Sequence, residues 1–309
     1  MNKTYIVAGI IVIVAIIGVI FLGNNTKAPK NQKESLTIKG SDTEVQLVSA
    51  LAEAFSKENP GIDISVTGGG SGVGIASLIN KEIDVANSSR KIEDSEISKA
   101  KENNIDVQQF ILAIDGLSII ANPNNKIEKL SVDQISKIYK GEIKNWKDVG
   151  GTDKKIVLYG RQSTSGTYTF FRNFVVKDDY SPEMKNMEGS QAIVDAVKSD
   201  ESAIGYVGVG YVKDDQGNVR NDIKILPVIG ANDNAISPLD KEAVQRGEYP
   251  IMRQIFQYLA YLPNKDSIMD KFIRFETSEA GQKIIEKSGF YTLTNSDIQQ
   301  NESLFEKIK

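Results

Sequence analysis

The segment best suited to chemistry runs from Arg161 to Thr167 and reads Arg-Gln-Ser-Thr-Ser-Gly-Thr. It follows a short apolar strand predicted at 156–159 and leads into an amphipathic helical pattern. A helix N-terminus offers free N–H groups and favours negative charge, and the Arg161 guanidinium can bind an oxyanion at two points. The same residue types also cap helices, so this segment by itself fits an oxyanion site and a helix cap equally well.

Three earlier strand-like stretches also end in hydroxyl-rich turns. Thr43 follows the first stretch, Ser71 follows the second within a glycine-rich run, and Ser89 follows the third. Because ligands of open α/β sheets bind outside the carboxyl ends of strands, these side chains are expected to face one crevice. The glycine run matches neither nucleotide-binding motif. Together with the Arg161 segment, the three turns favour a small-anion site over chance capping.

Composition narrows the classes of function. The 309 residues include no cysteine and no histidine, and the formal net charge is −4. This excludes disulfides, the usual zinc sites, and cysteine or histidine nucleophiles and bases. The mild negative charge provides no general basic field for nucleic acid, so an anion must be held by a local site. An enzyme stays open only with Asp, Glu, Lys, Ser or Tyr chemistry.

The N-terminus carries the clearest compositional signal. Lys3 precedes an apolar run from Tyr5 to Leu22 that can just span a bilayer. The run is longer than the apolar part of a cleaved signal peptide and lacks its small-residue exit. We therefore predict an uncleaved transmembrane anchor over residues 1–23, with no cysteine to carry a lipid. The polar residues 24–35 predict a flexible linker.

The remaining chain alternates strand-like and helix-like patterns, which is typical of an α/β fold. Asp115-Gly116 is interpreted as the first crossing between two lobes, and 223–229 as the return crossing. The expected first lobe therefore comprises residues 36–114 and 230–309, and the second lobe comprises 115–229. The C-terminal part is predicted to be mainly helical, with one helix opened by Tyr249-Pro250.

The order and spacing of short motifs from about Leu36 to the last helix resemble the phosphate-binding proteins of phosphate ABC importers, a periplasmic-binding-protein family. The motifs are Gly40-Ser41-Asp42-Thr43, Gly69-Gly70-Ser71-Gly72, Asp84 to Arg90, Asp115-Gly116, Tyr139-x-Gly141 with Asn145-Trp146, Gly160 to Thr167, Ala203 to Val207, Tyr249 to Arg253, Gly281-Gln282 and Gly289-Phe290-Tyr291. The resemblance implies a two-lobed α/β fold of the type II periplasmic-binding-protein class with a hinge. That fold is expected to follow the one N-terminal transmembrane helix.

The resemblance also implies which residues bind phosphate. Thr43 matches the threonine of the first loop, and Ser71 matches the serine of the glycine-rich loop. Arg161 matches the family arginine, and the three residues after Thr164 match its Ser-Gly-Thr anion loop. The expected phosphate-binding residues are Thr43, Ser71, Ser89, Arg161, Ser165, Gly166 and Thr167.

Ser89 departs from the better-known branch of the family, which has an aspartate there. A carboxylate accepts a hydrogen bond from the protonated oxygen of phosphate and repels sulfate, whereas a serine accepts a hydrogen bond and repels nothing. Asp42, Glu44 or Asp115 could supply the carboxylate instead. Asp115 is favoured among these, and it is equally explained as a turn residue of Asp-Gly. Residues expected beside the site as acceptors or supports are Ser41, Asp42, Ser88, Arg90 and Asp115.

These features predict an extracytoplasmic, membrane-anchored solute-binding protein. It is expected to capture inorganic phosphate and deliver it to the permease and ATPase subunits of an ABC importer, as a monomer without enzyme activity, cofactor, metal or nucleic acid. A binding protein for sulfate, molybdate or tungstate remains an alternative, and so does a hydrolase of phosphate esters. A sensor or adhesion module without a transporter is also compatible with the sequence.

Overall fold

Two mixed β-sheets with helices packed around them make up the described part of the chain. The computed structural model describes residues 34–214, 216–230 and 233–309. The predicted membrane anchor lies outside these residues, and within them no helix is both long and apolar enough to cross a bilayer. Residues 35–309 form one compact unit.

The strands are β1 (Glu34–Gly40), β2 (Ile62–Thr67), β3 (Val85–Ser88), β4 (Gln108–Gly116), β5 (Ser118–Ala121), β6 (Leu130–Ser131), β7 (Val157–Arg161), β8 (Lys185–Met187), β9 (Ala203–Val207), β10 (Lys224–Leu226), β11 (Val228–Ile229), β12 (Ala235–Ile236) and β13 (Met252–Leu259). The helices are α1 (Val45–Glu58), α2 (Ser71–Ile79), α3 (Asp94–Glu102), α4 (Val132–Lys140), α5 (Gly166–Phe171), α6 (Ser190–Ser199), α7 (Lys241–Gln245), α8 (Ile268–Thr277), α9 (Glu279–Lys287) and α10 (Asn295–Phe305). The predicted α/β class is confirmed.

The first sheet has the strand order β2-β1-β3-β13-β4. β1 and β3 run parallel, so their carboxyl ends meet at the same edge, while β13 is antiparallel to both of its neighbours. Helix α1 buries Leu47, Val48 and Leu51 in a core that it shares with α8 and these strands. This packing fixes the turns that follow β1 and β3 at one edge of the sheet.

The second sheet has the strand order β10-β5-β9-β7-β8, with β7 parallel to β8 and β9. Its core includes Trp146, which is buried and donates its indole N–H to the Ser202 carbonyl at 3.0 Å. Ser131 and Gln134 form the predicted capping box at the start of α4, with both hydrogen bonds present. The carboxyl end of β7 places Arg161 at the edge that faces the first sheet's hydroxyl-rich turns.

The chain passes from the first sheet to the second between β4 and β5, next to Asp115-Gly116. The segment 223–229, predicted as the return crossing, contributes β10 to the second sheet and β11 to a small sheet with β6 and β12. Val244, Tyr249 and Ile251 also pack in the second sheet's core. Strand β13 belongs to the first sheet, and the lobe boundary predicted at 230 stays a prediction.

The helix predicted after Tyr249-Pro250 is wrong, because residues 252–259 form strand β13. This strand lies between β3 and β4 in the middle of the first sheet, and most of its side chains are buried. The apolar residues Ile251, Ile255, Phe256 and Leu259 recur at helical spacing. A strand in the middle of a sheet buries both of its faces, so it does not show the strict alternation that identifies a half-buried strand. A register shift between Ile255 and Phe256 weakens the alternation further.

Candidate anion-binding site

Five buried hydroxyl groups converge where the two sheets face each other, and we call them the hydroxyl cluster. They belong to Ser41, Thr43, Ser71, Ser89 and Thr167, each at most 2% exposed. The Ser89 Oγ lies 3.0 Å from the Ser41 Oγ, 3.4 Å from the Ser71 Oγ and 3.3 Å from the Thr167 Oγ1. The oxygens of Thr43 and Thr167 are 2.9 Å apart. The structure thus brings the three predicted strand ends together with the Arg161 segment.

Local chain geometry sets the first-sheet side of this cluster. Ser71 begins α2, and its Oγ accepts a hydrogen bond from the Ser89 N–H at 3.1 Å. Gly40 ends β1 with a φ of +147°, and a Cβ there would lie 2.2 Å from the Asn87 carbonyl oxygen. Only glycine allows this close approach, which aligns the turn bearing Thr43 with the end of β3.

The other side of the cluster is the start of α5. Ser165 caps this helix and its Oγ accepts from the Tyr168 N–H at 3.4 Å, so the predicted cap is present. Gly166 and Thr167 are the first residues of the helix and are buried. A Cβ at Gly166 would lie 2.3 Å from the Ser71 Oγ and 2.9 Å from the Ser89 Oγ. The lack of a side chain at Gly166 therefore lets the two sides approach.

Arg161 brings a buried positive charge to this site. Its side chain is 1% exposed, and one terminal nitrogen donates to the Asp42 carboxylate at 2.5 Å while the other donates to Ser190 at 3.1 Å. The Nε is buried without a hydrogen-bond partner among the described residues. The second Asp42 oxygen accepts from the Gly69 N–H at 2.9 Å. Arg161 is therefore oriented by a carboxylate that belongs to the first-sheet side.

Arg253 also contacts the cluster, although it is not among the residues that the sequence predicts to bind phosphate. Its guanidinium donates to the Thr167 Oγ1 at 3.1 Å and to the Ser89 carbonyl at 2.9 Å, and the residue is 4% exposed. The sequence signal for Arg253 is its place in the motif Tyr249 to Arg253. A helix after Tyr249-Pro250 does not direct this side chain to the strand ends, whereas the central strand β13 does.

The remaining predicted residues lie around the cluster and are held by other groups. Asp115 is fully buried and accepts from the Arg253 Nε at 2.9 Å and from the Val209 N–H at 2.8 Å. The Arg90 guanidinium donates to Glu96 through both terminal nitrogens, at 2.8 and 2.7 Å. Ser88 donates to the Arg90 carbonyl at 2.8 Å.

Glu44 adjoins Thr43 and is completely buried. Neither of its carboxyl oxygens has a hydrogen-bond partner among the described residues. Burial raises the pKa of this carboxyl well above its usual range, because the charged form is poorly solvated. The Glu44 carboxyl therefore gives up its proton less readily than an exposed glutamate does.

The family model of the PBP superfamily domain matches residues 25–280. The chain is 32% identical to the phosphate-binding protein PstS of Staphylococcus haemolyticus over 273 residues, covering 87% of this chain and 84% of that protein. The identity to PstS of Staphylococcus aureus strain USA300 is also 32%, covering 87% and 81%. The chain therefore belongs to the PBP superfamily and, within it, to the family of PstS-like phosphate-binding proteins.

Solved structures agree with this assignment. A protein from Clostridium perfringens, described as a substrate-binding protein of a phosphate ABC transporter and crystallised with phosphate, is similar with a TM-score of 0.72 and 28% identity. The match covers 84% of this chain and all of that one. An ABC-type phosphate transport receptor from Vibrio cholerae has a TM-score of 0.65 and 28% identity, with the same coverage.

Proposed function

We propose that this chain captures inorganic phosphate between two lobes and delivers it to the permease of an ABC importer. The observation that carries the proposal is the hydroxyl cluster, which is assembled from both sheets and contacted by the Arg253 guanidinium. The Arg161 guanidinium pairs with Asp42, which lies between the cluster residues Ser41 and Thr43 in the chain. Buried hydroxyls and guanidinium nitrogens are the donors that an oxyanion requires. Relatives named as phosphate-binding proteins, at 32% identity, support phosphate as that anion.

The proposed mechanism is closure of a type II periplasmic-binding-protein fold about a hinge. The hinge would lie where β4 passes into β5 and where β13 begins, because the chain changes sheets at these two points. The first lobe would supply Thr43, Ser71 and Ser89, and the second would supply Arg161 and the segment 165–167. Closure would surround the anion with charge-assisted hydrogen bonds in a site shielded from water.

Sulfate is a second candidate, and the positions of the carboxylates favour it. Asp42 is engaged by Arg161, and Asp115 is engaged by Arg253. Ser89 occupies the position of the expected aspartate and provides a hydroxyl inside the cluster. A site with few acidic acceptors discriminates weakly against an anion that carries no proton.

We further propose that residues 1–23 anchor the protein in the membrane and that the linker 24–35 holds the binding domain at the extracytoplasmic face as a monomer. The apolar run from Tyr5 to Leu22 supports the anchor. The PstS-like relatives support an extracytoplasmic location. Cell fractionation with and without residues 1–23 tests the anchor, since only the full chain should remain with washed membranes.

Calorimetry on residues 34–309 tests the proposed ligand, because residues 35–309 form one compact unit. Phosphate should bind with a stoichiometry of one, and titrations with sulfate at two pH values measure the discrimination. Absence of heat with phosphate at both pH values contradicts the proposal. Stronger binding of sulfate than of phosphate would favour the second candidate, and turnover of a phosphomonoester would revive the hydrolase.

A further inference from the structure

The ion pair of Asp115 and Arg253 touches both lobes, although both residues belong to the first sheet. They are directly opposite each other on β4 and β13. The Arg253 Nε donates to the Asp115 carboxylate at 2.9 Å, and a terminal nitrogen of Arg253 lies 2.8 Å from the same oxygen. Side chains fixed by two antiparallel strands and by each other have little freedom, so the pair forms a rigid platform.

Each member of this pair makes one hydrogen bond to the second lobe. Asp115 accepts from the Val209 N–H at 2.8 Å, and Arg253 donates to the Thr167 Oγ1 at 3.1 Å. Gly208 makes the approach possible, because a Cβ there would lie 2.6 Å from a methyl carbon of Thr43 and 3.3 Å from the Asp115 carboxylate. These two bonds require the lobes to be close together.

The hydrogen bond from Arg253 also sets the direction in which the Thr167 hydroxyl points its proton. A guanidinium can only donate, so the Thr167 oxygen accepts, and its own proton turns away from Arg253. The groups on that side are the Thr43 Oγ1 at 2.9 Å and the Ser89 Oγ at 3.3 Å. A second Arg253 nitrogen holds the Ser89 carbonyl at 2.9 Å, which positions the loop that carries the Ser89 hydroxyl.

We propose that Arg253 and Asp115 are positioning residues that latch the closed lobes and orient the Thr167 hydroxyl to donate to the bound oxyanion. This inference rests on the proposed function and concerns residues outside the set that the sequence predicts to touch phosphate. In this arrangement the Thr167 hydroxyl is oriented as a hydrogen-bond donor to the anion. The closed state also contains two hydrogen bonds between the lobes that do not involve the anion.

The test is a double-mutant cycle by phosphate calorimetry with Arg253→Lys, Thr167→Val and the double variant. Lysine keeps the charge beside Asp115 but lacks the planar fork that reaches Thr167 and Ser89 together. We expect each single variant to bind roughly tenfold to a hundredfold more weakly. The double variant should be scarcely weaker than the weaker single variant, because the two residues act through one hydrogen bond.

Arg274→Lys is the matched control. It makes the same chemical change in an arginine of the first lobe whose Nε donates to Asp270 on the same helix at 2.6 Å, and it should bind phosphate as the parent does. Additive losses in the cycle, or Arg253→Lys with parental affinity, would overturn the inference.

Thermal unfolding of each variant identifies losses due to misfolding, and Asp115→Asn then serves as the second probe of the pair. It should weaken binding, since it removes the carboxylate charge that fixes Arg253 and accepts from the Val209 N–H; parental affinity would overturn the latch.

If the parent protein itself binds no phosphate, the proposed function fails along with the inference. If the parent and Arg274→Lys bind and the cycle shows no coupling, only the inference fails. The two failures are therefore distinguishable in one set of titrations.

Discussion

The two guanidinium groups at the hydroxyl cluster differ in where their carboxylate partners lie. Arg253 is paired with Asp115 on the adjacent strand of the same sheet. Arg161 lies at the end of β7 in the second sheet, and its partner Asp42 belongs to the turn after β1 in the first. The Arg253 pair can therefore exist in either arrangement of the lobes, whereas the Arg161 pair requires them to be close.

This difference suggests separate roles for the two charges. Arg253 is pre-organised within its lobe and has its charge balanced by a fully buried carboxylate. Arg161 retains a buried Nε without a partner among the described residues, and its carboxylate partner is 20% exposed. Arg161 is thus the charge that we expect to respond to an anion, and Arg253 the one that sets the geometry.

The largest expected effect comes from Arg161→Ala. Removing this guanidinium should weaken phosphate binding by about 3 kcal/mol, or roughly a hundredfold, because the anion loses a charged donor and Asp42 loses its partner. Calorimetry measures the loss. Arg172→Ala, which removes a half-exposed arginine paired with Asp179, is the control and should bind as the parent does. Equal affinities for Arg161→Ala and the parent would remove Arg161 from the site.

The next effect tests whether both lobes must approach as closely as the structure shows. Gly166→Ala would place a Cβ 2.3 Å from the Ser71 Oγ, so closure should be opposed by about 1–3 kcal/mol and phosphate binding weakened accordingly. The collision involves opposite sides of the cleft, so the unfolding midpoint without phosphate should change little. Partial recovery of affinity in Gly166→Ala/Ser71→Gly is expected, and a variant that binds like the parent contradicts this closed geometry.

Ser89→Asp tests which side of the site discriminates among anions. The added carboxylate would lie among the cluster hydroxyls, where it can accept a hydrogen bond from the protonated phosphate oxygen and repel sulfate. Sulfate should compete with phosphate in the parent, and its affinity should fall by at least about tenfold in the variant. Ser89→Asn, of similar shape without the charge, is the control. Undiminished sulfate competition in Ser89→Asp would place selectivity elsewhere.

The smallest expected effect concerns Glu44, whose pKa is raised by burial. A raised pKa means that the folded state binds more protons than the unfolded state above the ordinary pKa of glutamate. The stability that the group contributes is therefore complete below that value and is lost as pH rises through the folded pKa. Glu44→Gln should make the free energy of unfolding fall less steeply with rising pH.

Urea unfolding at acidic and mildly alkaline pH measures this difference. Between the lower and the higher pH, we expect the free energy of unfolding of Glu44→Gln to rise by about 1 kcal/mol relative to that of the parent. Glu276 is also fully buried with a pKa raised by burial, so Glu276→Gln should act in the same direction. Parallel stability profiles for the parent and Glu44→Gln would show that Glu44 does not titrate differently in the folded state.

Much of the site could be predicted because its residues are marked by local chemistry. Thr43, Ser71 and Ser89 each follow a strand that its pattern identifies, and parallel strands bring such turns to one edge. Arg253 could not be found in this way, because a central strand buried on both faces shows no alternation that distinguishes it from a helix.

The sequence by itself determined the donor chemistry of the site, since hydroxyls, glycines and an arginine at strand ends suit an oxyanion wherever the sheet puts them. Only the tertiary structure decided which charges are paired. Asp115 is buried against Arg253, Asp42 faces Arg161 from the other side, and Glu44 is held without a partner among the described residues. Those pairings join residues far apart in the chain, and their strength depends on burial and on distances of a few ångströms, which residue types and spacing do not encode.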